Sequence, residues 1–211
     1  MMSSRPVQLM SFMLIGCLLT SCSLLRPGTR PTSRGTPVKQ GAVLRDPQGR
    51  FQLTVPRDGL RQITGERGIA LETRDGSHGF SVLAYAWPRK GLGDEEALKS
   101  VLRTRLGEVA RNNRYGYQVL KQEPFTRQGH QGLRAHFLLL PNRGWTRRAY
   151  VCQLVAAKDV IYWMHASRVR TAQFGDINSR FVQEAERFFG EVRFAYEFRE
   201  RQQAPAFAPS P

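Results

Sequence analysis

The stretch Asp46–Pro56, with the sequence DPQGRFQLTVP, is the most diagnostic part of this chain for its fold. Its first four residues place Pro at the second position and Gly at the last position of a tight turn. After the turn, Phe51, Leu53 and Val55 alternate with polar residues, which predicts a strand with one buried face that ends at the next Pro. Because the short apolar segment Ala42–Leu44 precedes the turn, we predict an antiparallel hairpin here.

The next segments predict a second hairpin and then a helix. Ile69–Thr73 and Phe80–Trp87 flank an Asp-Gly turn at residues 75 and 76. Asp94 is a good N-cap residue, and the two Glu residues after it suit the positive end of a helix. Apolar residues then recur at helical spacing. They are Leu98, Val101, Leu102, Leu106 and Val109.

Strand patterns dominate the second half of the chain. Tyr117–Lys121 predicts one strand, and the nearly continuous apolar run Leu133–Leu140 is typical of a strand covered on both faces. Trp145–Ala156 and Val160–Ser167 flank a short turn and predict a hairpin. A last helix is predicted to begin near Asp176. Its apolar side comprises Phe181, Ala185, Phe188 and Phe189.

The order of these segments predicts an α+β fold, an antiparallel β-sheet with packed α-helices. The chain resembles the PsbP-like/DcrB-like superfamily over roughly Leu44 to Phe194. The resemblance rests on the segment Gly49–Pro56, on the late hairpin Arg148–Ala166 and on the closing segment Phe188–Phe194. It implies a PsbP-like α/β/α sandwich and a non-enzymatic accessory, assembly or binding role. The chain departs from the family pattern at residue 60, where Leu follows Gly instead of Trp.

The N-terminus resembles a bacterial lipoprotein signal peptide. One positive charge precedes a short apolar run that ends in Leu19-Thr20-Ser21-Cys22, a lipobox. The run is shorter than the roughly 20 apolar residues of a membrane-spanning helix. Acylation of Cys22, with palmitate for example, would anchor the protein in the cell envelope. By the convention of this lipoprotein class, Ser23 in place of Asp favours the outer membrane, facing the periplasm, if the cell has one. Cys17 and a signal peptide without lipid remain as alternatives.

We therefore divide the chain into a signal peptide (1–21), a flexible tether (22–39), a PsbP-like domain (40–196) and a disordered Ala/Pro-rich tail (197–211). The tether and the tail are rich in Pro and small polar residues and hold few apolar groups with which to fold. Cys152 would then be the one thiol left in the domain, and its apolar neighbours indicate a buried small residue.

The formal net charge is +15, from 32 Lys and Arg against 17 Asp and Glu. Such a charge favours anionic surfaces or an acidic partner, although it also fits a solvated coat without a function. Nucleic acid is not expected as a partner outside the cytoplasm. The loop Pro141–Arg148 is our predicted binding site, because an aromatic and several basic side chains occur together there. Its candidate residues are Arg143, Trp145, Arg147 and Arg148.

The sequence contains none of the common hydrolase, metalloprotease or paired-cysteine motifs, so we predict no enzymatic activity, no cofactor and no metal. His136 and His165 lie in predicted strands and would approach each other only if those strands pair. We expect a lipid-anchored binding or assembly module for another envelope component. The alternative is a carrier or sensor of a small anionic ligand or lipid.

Overall fold

The structure is a computed structural model, and it describes residues 35–65, 68–86, 94–113, 115–141, 147–157, 159–170 and 177–195. These residues form eleven strands and two helices. In chain order they are β1 (Thr36–Val38), β2 (Val43–Arg45), β3 (Phe51–Thr54), β4 (Leu60–Gly65), β5 (Gly68–Thr73), β6 (His78–Ala86), α1 (Asp94–Asn113), β7 (Tyr115–Arg127), β8 (His130–Pro141), β9 (Arg147–Ala157), β10 (Val160–Arg170), α2 (Ser179–Gly190) and β11 (Val192–Phe194). None of the helices within these ranges is both long and apolar enough to span a membrane.

Two antiparallel sheets organise the described residues. The large sheet has eight strands in the order β1-β4-β5-β6-β10-β9-β8-β7, and the small one has three in the order β11-β3-β2. The predicted hairpins β2–β3, β5–β6 and β9–β10 are confirmed. Strand β6 pairs with β10, which joins the two halves of the chain into one sheet.

The large sheet has a different cover on each face. Helix α1 packs on one face, and its buried Leu98, Leu102 and Leu106 join a core with alternate residues of β8, β9 and β10. Helix α2 and the small sheet share the opposite face, where Phe51 and Phe188 belong to a second core. The expected α/β/α sandwich is therefore not confirmed in that form, because sheet dominates the molecule and a small sheet shares one face with a helix.

The local sequence explains where α2 begins and how it packs. Asn178 is its N-cap, and the Asn178 side-chain Oδ1 accepts a hydrogen bond of 2.9 Å from the backbone N–H of Phe181. The four apolar residues predicted to line its inner side are all buried. At the other end, the Arg127 guanidinium donates to the carbonyl oxygens of Phe189 and Val192, so it satisfies acceptors where the helix ends.

Three elements differ from the predictions. Residues 36–38, assigned to the tether, form β1 and pair with β4, so the sheet begins before residue 40. Strand β4 itself was not predicted, because its sequence LRQITG carries little alternation. The closing segment Phe188–Phe194 is divided between two elements: α2 ends at Gly190, and Val192–Phe194 forms β11, which pairs with β3. Cys22, most of the tether and the C-terminal tail lie outside the described residues.

A candidate anion-binding groove

A groove of about 780 Å³ lies on the α2 face of the large sheet, at the edge of the domain. Three parts of the chain meet there: the loop after β3, the turn between β5 and β6, and the first turns of α2. Strand β10 contributes one residue, Arg168, which pairs with His78 across the sheet. The lining residues are Arg57, Asp58, Thr73, Arg74, Asp75, Ser77, His78, Arg168, Arg180 and Glu184.

Four arginines make this groove basic, and they come from four separate segments of the chain. Only one of them, Arg57, has a carboxylate partner among the described residues, with its Nη1 2.9 Å from Oε1 of Glu184. Arg74, Arg168 and Arg180 form no ion pair within the described ranges. Three guanidinium groups are therefore available to a ligand, and planar guanidinium suits carboxylate and phosphate oxygens.

The acidic residues of the groove are already engaged. The Asp75 Oδ1 atom accepts hydrogen bonds from Thr73 Oγ1 at 2.6 Å and from the N–H and Oγ of Ser77 at 3.0 and 2.8 Å. The Thr73 bond is the main cause that lowers the pKa of Asp75 to about 2, with the Ser77 bonds next. Asp58 accepts from the backbone N–H of Gln40. The three carboxylates of the lining, Asp58, Asp75 and Glu184, balance three of its four arginines, so the groove keeps a net charge of +1 (4 − 3).

His78 lies close to both acidic and basic side chains of the groove. Its Nδ1 is 2.8 Å from Ser77 Oγ, and its Nε2 is 4.0 Å from Oε2 of Glu184. Burial is the largest cause that lowers the pKa of His78; Glu184 opposes this shift, and Arg168 and Arg57 add to it. The imidazole is consequently neutral at pH 7, and a bound anion would raise its pKa because it would counter the nearby arginines.

A smaller recess of about 350 Å³ continues the groove along α2. Phe80 and Phe188 give it an apolar floor, and their rings pack at a tilt of 32° with centroids 4.7 Å apart. The guanidinium carbon of Arg57 lies 5.8 Å from the Phe80 ring centroid, within cation–π range. Arg187 adds a further positive charge. The combined site offers arginines for an anionic group and an aromatic floor for an apolar one.

Comparison with solved structures bears on the fold. Cyanobacterial PsbP (CyanoP) from Synechocystis sp. PCC 6803, a solution structure, aligns over 74% of this chain and 94% of its own, with a TM-score of 0.58 and 11% sequence identity. The fold is PsbP-like. At this identity the likeness establishes the fold alone, and one fold can host many functions.

Two further structures align with lower scores and carry no weight here. A protein from Bacteroides thetaiotaomicron has a TM-score of 0.40 at 13% identity, over 74% of this chain and 48% of its own. A Pseudomonas aeruginosa protein of unknown function has a TM-score of 0.36 at 10% identity, over 81% of this chain and 99% of its own. No protein-family model matches the chain, and no curated protein matches it in sequence.

Of the four residues predicted to bind in the loop Pro141–Arg148, the structure describes the side chain of Arg148 alone. Arg143 and Trp145 lie outside the described residues, and Arg147 is described only in its backbone. Arg148 is described, and its Nη1 donates to Ser167 Oγ at 3.3 Å on the α1 face of the sheet, the face opposite the groove. Sequence reasoning missed the groove because its arginines are far apart in the chain. Only the pairing of β6 with β10 and the position of α2 bring them together.

The two histidines predicted to lie in strands, His136 and His165, are not brought together. Strand β9 separates β8 from β10, and the register places His136 opposite Val151 and His165 opposite Cys152. Val151 and Cys152 belong to the two different cores, so the two histidines lie on opposite faces. Among the described residues, no group of three His, Cys, Asp or Glu side chains could hold a metal ion. Cys152 is buried, and burial raises the pKa of its thiol to about 12, so this thiol is inert as a nucleophile.

Proposed function

We propose that this protein is a lipid-anchored component of the cell envelope, facing the periplasm, whose PsbP-like domain is a binding or assembly module. Its partner would be another envelope component with an anionic group. The anchor is the Cys22 lipobox, and the contact site is the arginine groove. We assign no catalytic role to the groove.

The observation that carries the proposal is the set of three arginines without carboxylate partners, Arg74, Arg168 and Arg180, around one groove. The lining carries one more arginine than carboxylates, and these three arginines have no ion-pair partner, so an anionic group would be attracted to the groove. The net charge of the whole chain favours the same class of partner through long-range attraction.

The size of the groove supports a second candidate function, a carrier or sensor of a small anionic ligand or lipid. Its volume of about 780 Å³ lies within the range of pockets that hold small molecules. The adjoining aromatic floor would suit a ligand that is part apolar, such as a phospholipid head with its first acyl carbons. The two candidates share the groove and differ in what occupies it.

A charge-matched pair of variants tests the groove. Arg74→Gln/Arg168→Gln/Arg180→Gln removes three groove charges, whereas Arg103→Gln/Arg111→Gln/Arg193→Gln removes three from exposed positions outside it. We expect the purified protein to bind phosphatidylglycerol vesicles and not phosphatidylcholine vesicles, with affinity that falls as salt shortens the Debye length below about 10 Å. The groove triple should lose at least about tenfold in affinity, whereas the control triple should lose severalfold at most. Equal losses of affinity in the two triples would mean that the net charge of the protein attracts the vesicles without a specific site, and the groove would be rejected as the binding site.

Two further measurements separate the candidates. Inorganic phosphate should raise the NMR-measured pKa of His78 in the wild type and leave it unchanged in the groove triple. Purification from detergent-solubilised membranes should then recover a stoichiometric protein partner if the domain is an assembly module, or an extractable anionic lipid if it is a carrier. Recovery of neither, together with a His78 pKa that ignores phosphate, would refute both functions.

A further inference from the structure

The arginine groove and the smaller recess along α2 form one continuous site, because they share part of their lining. Arg57, Arg180 and Glu184 line both of them. Together the two linings contain five arginines and three carboxylates, a net charge of +2 (5 − 3). The combined site is therefore longer and more positive than the groove alone, which favours a ligand with more than one anionic group.

The fifth arginine, Arg187, extends the positive charge along the helix. Four residues lie at helical spacing on one side of α2, and they are Arg180, Gln183, Glu184 and Arg187. Arg180 and Arg187 are two helical turns apart, about 10 Å along the helix axis. Both are exposed, and neither forms an ion pair within the described residues. A small anion is too short to contact both arginines, whereas an elongated ligand can reach them together.

The middle of the site presents groups that suit a neutral polar unit. Glu184 is paired there with Arg57 at 2.9 Å, so a further anionic group at this point would meet a carboxylate. Among the described residues, Glu184 Oε1 accepts no hydrogen bond, and its Oε2 lies 4.0 Å from Nε2 of His78, too far for one. The amide of Gln183, one residue earlier, is exposed and can donate or accept. An acceptor and an amide side by side suit the hydroxyl groups of a ligand.

The groove end of the site is positive again. Arg74 from the β5–β6 turn and Arg168 from β10 line it, and neither has an ion-pair partner in the described part of the chain. The carboxylates of Asp58 and Asp75 already accept hydrogen bonds from other groups of the protein. The site thus alternates along its length between a basic end, a neutral polar middle and a second basic position at Arg187.

We propose that the groove and the recess together bind a short stretch of a linear acidic polysaccharide of the cell envelope. One carboxylate of the polymer would meet Arg74 and Arg168, and a second would meet Arg187. The sugar hydroxyls between them would contact Gln183 and Glu184. This inference rests on the proposed function, because it takes the arginine groove as the contact site, and it names the chemistry of the partner.

The test compares galacturonic acid with oligogalacturonates of increasing length, by calorimetry on the purified protein at constant ionic strength. Affinity should rise at least about tenfold from the monomer to the first oligomer that reaches both basic positions, since the second contact then forms within one complex. A neutral maltodextrin of matched length should not bind. Polyphosphate of matched length should bind severalfold more weakly, because Glu184 opposes its unbroken run of charge.

Single variants link the length dependence to the recess. Arg187→Gln should weaken binding of the long oligomer about tenfold, which corresponds to the loss of one charged hydrogen bond. It should leave the monomer unchanged, because a single carboxylate finds more arginines in the groove. Gln183→Ala should weaken the oligomer severalfold. Arg103→Gln, at an exposed position of α1 on the other side of the large sheet, is the charge-matched control and should change neither ligand.

The outcomes separate this inference from the proposed function. A monomer that binds as tightly as every oligomer, or equal losses in Arg187→Gln and Arg103→Gln, would overturn the polysaccharide site. Polyphosphate that binds as tightly as the oligogalacturonate would overturn the polysaccharide in favour of a phosphate polymer. The proposed function fails by a different result, namely a groove triple variant that binds vesicles and phosphate as its control does.

Discussion

At the scale of single residues, Asp46 and Arg50 determine how the first hairpin is held to the domain. Asp46 is buried, and its carboxylate accepts from the N–H of Gln48 and from the N–H, Nε and Nη2 of Arg50. Arg50 Nη1 also donates to the carbonyl oxygen of Ala84 on β6 at 2.8 Å. The same pair therefore closes the predicted turn and ties the small sheet to the large one.

Asp46→Asn tests this pair. Burial alone would raise the Asp46 pKa, but the hydrogen bonds from Arg50 and Gln48 outweigh it, so the folded-state pKa lies below its usual 3.8. Loss of the carboxylate leaves Arg50 without its main partner. We expect a loss of about 3 kcal/mol in the free energy of unfolding at pH 7. This value is at the low end of the range for breaking a buried ion pair, because the Arg50 side chain is still 20% exposed.

The pH dependence of this loss has a defined sign. A carboxyl whose pKa is lower in the folded state than in the unfolded state stabilises the fold. This contribution is complete at pH values above the pKa of the unfolded state, and it disappears as the pH falls through the pKa of the folded state. The difference between wild type and Asp46→Asn in urea unfolding should therefore be constant near pH 7 and shrink below pH 3.8. Asp159→Asn, at an exposed turn, should stay within about 0.5 kcal/mol of wild type. An Asp46 variant as stable as this control would contradict the role given to the pair.

At the scale of elements, the outer strand β7 shows how the large sheet avoids pairing with other molecules. Strand β7 is the long outer strand of the large sheet, and outer strands risk pairing with other molecules. A register shift between Val119 and Lys121, the charge of Lys121 and the Pro at 124 all disfavour such pairing. The turn into β8 is held by Gln128 and Gly129, both with positive φ, which suits a two-residue hairpin loop.

Helix α2 is held mainly by its aromatic side chains, and Phe188→Ala tests this. Phe188 is 1% exposed and packs on Phe80 and Phe189. We expect a loss of about 3–5 kcal/mol in thermal or urea unfolding, from lost transfer energy and the cavity left behind. Tyr117→Ala is the control, because Tyr117 is 40% exposed on β7 and should cost about 1 kcal/mol at most. Similar losses in both variants would mean that α2 is not packed as described.

At the scale of the whole molecule, the proposed anchor and the domain are separate parts of the chain, and Cys22→Ser tests the proposed anchor alone. If Cys22 is acylated, the variant should lose incorporation of labelled fatty acid and should either leave the membrane fraction or accumulate as an uncleaved precursor. One acyl chain anchors weakly and several anchor firmly, so the change in fractionation should be large. Cys17→Ser is the control and should behave like wild type. Continued labelling of the Cys22 variant would move the site to Cys17.

Local patterns in the sequence determined the fold class, the three hairpins, α1 and the buried side of α2. Each of these depends on alternation, helical spacing or turn residues close together in the chain.

The tertiary structure decided what no local pattern encodes. Residues 36–38 have little strand character of their own, and they form β1 because they pair with β4. The groove exists because β6 pairs with β10 and α2 lies beside them, which brings together arginines separated by up to 123 positions, from Arg57 to Arg180. Burial, which lowers the pKa of His78 in the groove, is likewise a property of the packed domain and not of any local segment.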